Sequence, residues 1–155
     1  DVITAAAAAH WFDLDRFYAE VRRVARPGAL LALWTYDGSP LICPEVEAQV
    51  ARLRDELANA DWPGRFQIVR DGYRSLDFPF DTLEVPALES RADWTLDRFL
   101  GHLRSWSSIQ RQTRRTGSDP VREVEPALRA AWGPPERTRT IRWPLYIRLG
   151  RIHAG

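Results

Sequence analysis

Two short aromatic clusters hold the side chains best suited to chemistry, His10-Trp11-Phe12 and Trp34-Thr35-Tyr36. His10 brings an imidazole that titrates near neutral pH, and tryptophan and tyrosine faces attract cations. Each cluster follows an apolar run, Val2 to Ala8 in one case and ALLALW in the other. If both runs are parallel strands, the clusters share the carboxyl-end edge of a sheet, where open α/β folds bind ligands. The same residues would serve as a cap on the hydrophobic core, with His10 a satisfied hydrogen-bonding group, because a fold does not by itself fix a function.

Other constellations offer less. The histidines His10, His102 and His153 are far apart, with no second ligand at i+3 or i+4, which argues against a metal site. Cys43 is the single cysteine, so no internal disulfide forms, and no nucleophile-elbow sequence surrounds it. A Cys43 and His10 nucleophile pair would depend wholly on the fold, and a small buried thiol is the simpler reading. The RQTRR run ending at Arg115 offers phosphate contacts, but a basic helix end also complements the helix dipole. A formal net charge of +1 favours that solvated reading and gives no field for nucleic acid or anionic lipid. Neither GxGxxG nor GxxxxGK[ST] occurs, so these residues contain no phosphate-cradling loop of either kind.

The elements that must position the aromatic clusters can be read from the pattern. The chain has 155 residues, 45% of them hydrophobic, enough for one domain with a core. No apolar run approaches the roughly 18 residues of a membrane span, and no signal-like segment opens the chain, so the expectation is a cytoplasmic protein with no membrane partner. Val2 to Ala8 is apolar without alternation, as a strand covered on both faces would be. Asp13 then caps a helix with Leu14, Phe17, Tyr18, Val21 and Val24 on one face, and Pro27-Gly28 ends it before ALLALWTY. Residues 1–36 therefore form a βαβ unit with parallel strands and a right-handed crossover.

Residues 37–135 read as a cover of helices and short strands, after an Asp37-Gly38-Ser39-Pro40 turn. Val46, Val50, Leu53 and Leu57 mark a helix from Glu45 to Ala60, closed by Asp61-Trp62-Pro63-Gly64. Phe66 to Leu88 reads as short strands with turns, because aromatic and aliphatic residues are broken by Asp71-Gly72, Pro79 and Pro86. Thr95 caps a helix through Trp106 that the Gln110 to Arg115 segment extends, and Asp119-Pro120 opens another that Pro126 should kink or split. In the terminal segment, 136–155, Ile141, Trp143, Leu145, Ile147 and Leu149 alternate with Arg142, Tyr146 and Arg148, a strand with one wet face on which Pro144 favours an edge or a bulge.

The stretch DVITAAAAAHWFDLDRFYAEVRRVARPGALLALW resembles the fourth strand, following helix and fifth strand of class I S-adenosylmethionine-dependent methyltransferases, in the branch of trans-aconitate methyltransferase-like proteins. HWFD, FYAEVRRV and the RPG turn carry the resemblance, and FPFDTLEVP, LGHLRSWSSIQR and IRWPLYIRLGR extend it over most of the chain. One departure is Ala7, where members often have glutamine. The resemblance implies an α/β fold, the C-terminal half of a Rossmann-like sheet, with the family's glycine-rich loop and ribose-holding acid upstream of Asp1. It also implies S-adenosylmethionine as cofactor and methyl transfer to a small-molecule acceptor.

By that resemblance Ala6, Ala7, His10 and Trp11 lie near the methyl donor, and Trp34, Tyr36, Phe78, Phe80 and Trp106 surround the acceptor, with His10 the candidate base for a hydroxyl or amine. Taken singly, Phe78, Phe80 and Trp106 each read more readily as core than as ligand contacts. The alternative function is a non-catalytic interaction subunit that completes its sheet with another chain. In either case an open edge at Val2 to Ala8 would favour self-association.

Overall fold

The structure, a computed structural model, describes residues 1–36, 38–57 and 66–153. Asp37 and the expected Asp61-Trp62-Pro63-Gly64 helix stop lie outside the described residues. The chain divides into two compact units that interleave along the sequence. The first comprises Asp1–Asp37, Gly64–Glu89 and Pro144–Gly155, and the second Gly38–Pro63 and Ser90–Trp143.

In the first unit, β1 (Val2–Ala6) and β2 (Leu30–Thr35) pair in parallel, joined by α1 (Leu14–Val24). The βαβ unit is thus as the sequence pattern requires. Asp13 caps α1 by accepting from the Arg16 amide, while Tyr18 and Val21 are the buried residues of its inner face. The terminal strand β5 (Arg139–Arg151) runs antiparallel to β2 over Tyr146–Arg151, and the short β3 (Asp81–Leu83) pairs with its end, giving the order β1-β2-β5-β3. The core of this unit gathers Leu31, Leu33, Tyr18, Val21, Val69, Tyr73, Leu76 and Ile152.

Three expectations for this unit need correction. β1 is an edge strand with Val2, Thr4 and Ala6 exposed, so it is not covered on both faces; only the side bearing Ile3 and Ala5 is packed. The segment read as short strands from Phe66 begins instead with a single helical turn, α3 (Phe66–Arg70). Its β-branched residues suit a strand by propensity, but Gly72 and Tyr73 close a Schellman-type stop, with Gly72 N–H bonding Val69 O and Tyr73 N–H bonding Ile68 O. Finally, β5 lies inside the sheet, and its polar side is wet only at Arg142, being half-buried at Tyr146 and Arg148. Arg148 lies over the Phe78 ring at 5.0 Å and donates to the carbonyls of Tyr73 and Arg74, and Tyr146 lies against Gly72. Pro144 is accommodated because pairing with β2 starts only at Tyr146.

In the second unit, α2 (Pro44–Arg52) continues into a π-turn at Leu53–Leu57, and α4 (Leu96–Arg104), α5 (Ser107–Thr116) and α6 (Val121–Trp132) complete a helical cluster. Its core is Val46, Val50, Leu53, Phe99, Leu100, Leu103, Ile109, Val124, Leu128, Trp132 and Ile141. β4 (Leu88–Trp94), not anticipated in the charged sequence ESRADW, pairs with β5. The expected single helix through Arg115 is two helices, because Trp106 takes an extended conformation and the Ser105 hydroxyl donates to the His102 carbonyl. Pro126 does not split α6: four buried side chains, Val121, Val124, Leu128 and Trp132, hold the helix together despite the lost backbone donor. Arg139 closes the C-terminal end of α6 by donating to the carbonyls of Trp132 and Ala131.

Gly72 has φ +65°, and a Cβ built there would lie 2.6 Å from the Tyr146 ring. Gly72→Ala combines left-handed strain with overpacking and is expected to destabilise by about 2–4 kcal/mol. A lower urea midpoint with unchanged slope checks this; an unchanged midpoint would show that the α3 to β5 packing gives way freely.

Candidate functional site

The carboxyl ends of β1 and β2 meet as parallel strands must. Ala6 registers with Trp34, and the Ala7 amide donates to the Trp34 carbonyl at 2.8 Å. Ala7 has φ +47°, a left-handed conformation that costs a residue with a Cβ about 1–2 kcal/mol. That turn swings the chain into a 3-10 turn, Ala9–Trp11, on which His10 is 7% exposed and Trp11 is 50% exposed. Tyr36, just past β2, is 46% exposed, while Thr35 is buried. The structure therefore brings together Ala6, Ala7, His10, Trp11, Trp34 and Tyr36 at one sheet edge.

The residue that sequence reasoning missed here is Tyr73. It is fully buried, and its hydroxyl lies 2.9 Å from His10 Nδ1. Burial raises the Tyr73 pKa, and hydrogen bonds from the Thr35 hydroxyl and the His10 and Ala9 backbone oppose the rise. Like Ala7, Tyr73 has a positive φ, +64°, and these two are the non-glycine residues in that region among those described. Backbone strain of this kind persists where surrounding contacts over-determine it, and it clusters at functional sites. At Tyr73 those contacts are its amide bond to Ile68 and the Arg148 guanidinium on its carbonyl. The only signal in the sequence was the Asp71-Gly72 turn just before it.

The remaining expected site residues lie elsewhere. Phe78 and Phe80 pack against Gly150, which registers with Leu31, whereas Tyr146 registers with Thr35 at the strand end. Four residues of β5 separate the two places, roughly 13 Å. Phe78 and Phe80 form an edge-on cluster with Tyr18, and Arg22 lies over Phe80, so both rings belong to the packing of α1 on the sheet.

Trp106 belongs to the second unit. Its ring meets His102 edge-on, and Trp94 and Trp143 also pack on that imidazole. Burial there pushes the His102 pKa down, which keeps the ring neutral. Cys43 is at the N-cap of α2, 3.8 Å from Arg139 Nη1, and His153 pairs with Asp81 at the surface. Among the described residues no group of three or more His, Cys, Asp or Glu is placed to hold a metal, and no helix is long and apolar enough to cross a membrane.

Comparison with known proteins gives this geometry a context. No family model matches the chain. It is similar to a candidate methyltransferase from Dictyostelium discoideum, 24% identical across 97% of this chain and 59% of the relative. It is also similar to the solved structure of a candidate type II methyltransferase from Anaeromyxobacter dehalogenans, with a TM-score of 0.90 and 54% identity over 100% of this chain and 66% of that one. The chain thus spans less than two thirds of the length of either. Its mixed α/β architecture matches the Rossmann-like fold of its structural neighbour.

The Tyr18 hydroxyl donates to the Asp77 carbonyl at 2.6 Å. Burial above all, reinforced by Asp77 and opposed by Arg148, pushes its pKa from 10.0 up to about 12. Because the folded-state value lies above the unfolded one, the neutral phenol contributes stability that is complete below pH 10 and is lost as pH rises through about 12. Tyrosinate absorbance should therefore show a late titration that Tyr18→Phe removes, and the variant's stability should fall less steeply over that window. A Tyr18 that ionises near the ordinary phenol value of about 10 would refute the packing described for α1.

Proposed function

We propose that this chain is part of a longer S-adenosylmethionine-dependent methyltransferase, of the trans-aconitate methyltransferase-like branch, that acts on a small molecule. The observation that carries the reading is the meeting of the left-handed Ala7 turn, buried His10 and the exposed faces of Trp11 and Tyr36 at the carboxyl ends of two parallel strands. The likeness to candidate methyltransferases supports it, as does the open edge of β1, onto which further strands from the longer protein or a second copy can add.

The residues at this edge suit the cofactor. Ala6 and Ala7 carry only methyl groups, so a ligand can approach the backbone closely, and half-exposed Trp11 and Tyr36 rings favour a cation or a flat base. S-adenosylmethionine, when bound, supplies an electrophilic methyl group on a sulfonium. Displacement at that carbon needs alignment and exclusion of water more than a covalent intermediate. Trp34 and Tyr36 would wall the acceptor and Trp11 the donor, while His10 borders the reacting groups. Phe78 and Phe80 take no part, since they pack on α1.

Calorimetry on the isolated 155 residues should show little heat with S-adenosylmethionine, because the glycine-rich loop is not in this sequence, whereas the full-length protein should bind it. Tight stoichiometric binding by the isolated chain would overturn the split donor site, and absence of binding by the full-length protein would overturn the cofactor. In the full-length enzyme, His10→Ala should slow methyl transfer by about 10²-fold or more. Unchanged turnover would return His10 to a packing role.

A further inference from the structure

The start of α5, in the second unit, gathers polar groups that nothing in the fold satisfies. Its first backbone bond runs from the Gln110 N–H to the Trp106 carbonyl at 2.9 Å, and among the described residues the amides of Ser108 and Ile109 have no acceptor. Trp106, the N-cap, supplies no side-chain bond, and the first turn contains no acidic residue. Helix amides of this kind turn to a capping side chain or to water. Bulk water is out of reach, because Ser108 is 2% exposed and Ile109 1% exposed. The Ser108 side chain adds an independent deficit, since its hydroxyl oxygen is buried and has no hydrogen-bond partner. A helical Cα–Cβ bond tilts toward the N-terminus, which directs this hydroxyl to the end where the amides point. One turn on, along the same face, Gln112 Oε1 is likewise buried without a partner.

We propose that the first turn of α5 binds the oxyanion group of a small molecule, a carboxylate or a phosphate, which accepts hydrogen bonds from the amides of Ser108 and Ile109 and from the Ser108 hydroxyl. Three buried donors converge there. A single buried water accepts two hydrogen bonds, whereas an ionised carboxylate offers about four lone-pair sites. The helix end carries partial positive charge, which favours an anion over a neutral oxygen. Nothing on α5 offsets that preference, since the helix holds Arg111, Arg114 and Arg115 and no acid. Gln112 Oε1 extends the polar strip by one turn, where a hydrogen-bond donor on the same ligand would satisfy it. The site goes beyond the methyltransferase reading and does not depend on it.

Amide ¹H–¹⁵N spectra of the full-length protein, titrated with inorganic phosphate and separately with sodium acetate at constant ionic strength, read the site directly. The Ser108 and Ile109 signals should shift and saturate with at least one of the two anions, and stay in place when sodium chloride alone is raised. Saturation by phosphate only identifies a phosphate group, and by acetate only a carboxylate; either supports the site. No saturable shift at these two amides with either anion overturns it, as does an equal response to chloride. Ser108→Ala, which removes the hydroxyl and leaves the backbone donors in place, should weaken binding of the effective anion about 10-fold. Unchanged affinity overturns the proposal, and if the variant does not fold, the wild-type titration alone decides. Methyl transfer enters neither measurement, so failure here leaves the reading of the sheet edge untouched.

Discussion

A hydroxyl group with no access to water must find its partners inside the protein, and at Tyr73 that requirement organises the ends of β1 and β2. An unsatisfied buried polar group costs about 1–3 kcal/mol, comparable to the strain of holding Tyr73 at positive φ. The two requirements are met together. The Schellman stop of α3 sets the backbone, Arg148 holds its carbonyl, and the ring reaches beneath the 3-10 turn to His10. Gly72 makes this possible, since any side chain there would meet Tyr146. Through Tyr146 and Arg148, β5 is thus as much a part of the site's support as the two strands whose ends form it.

The second unit solves a different problem with similar means. Its helices bury Phe99, Leu103, Leu128 and Trp132 in one cluster, with Phe99 and Trp132 stacked at 5.4 Å. The polar ends are closed by arginines. Arg104 bridges Asp119 and Glu125, and Arg139 satisfies the last carbonyls of α6 while lying over the Trp132 ring. A guanidinium can do both because its plane stacks while its edge donates. All 22 basic residues of the sequence are arginine, and at these places the guanidinium is put to structural use.

Fixed groups at a sheet edge suit a reaction governed by alignment. Ala7 and Tyr73 are held where few residues with a Cβ settle, one on each side of His10, so the imidazole sits between two over-determined points. The rings of Trp11 and Tyr36 are about half exposed. Buried polar groups beneath half-exposed aromatic rings are an arrangement suited to orienting a small ligand.

The sequence by itself determined the local elements whose signals lie within a few residues of one another. Asp13, the helical spacing from Leu14 to Val24 and the Pro27-Gly28 stop define α1, and the apolar runs on either side define two parallel strands. It also placed Ala6, Ala7, His10, Trp11, Trp34 and Tyr36 at one edge, because parallel strands joined by a crossover must end together. Only the tertiary structure decided what lies under that edge and what does not. Tyr73 is 63 residues from its partner His10, and no local pattern encodes a hydrogen bond at that separation. Phe78 and Phe80 look like ligand walls in sequence, but the glycine at 150 opens the space they fill against α1. The same holds for the alternation in β5: a period of two says which side chains share a face, whereas burial of the Arg148 face depends on a loop that packs there from elsewhere in the chain.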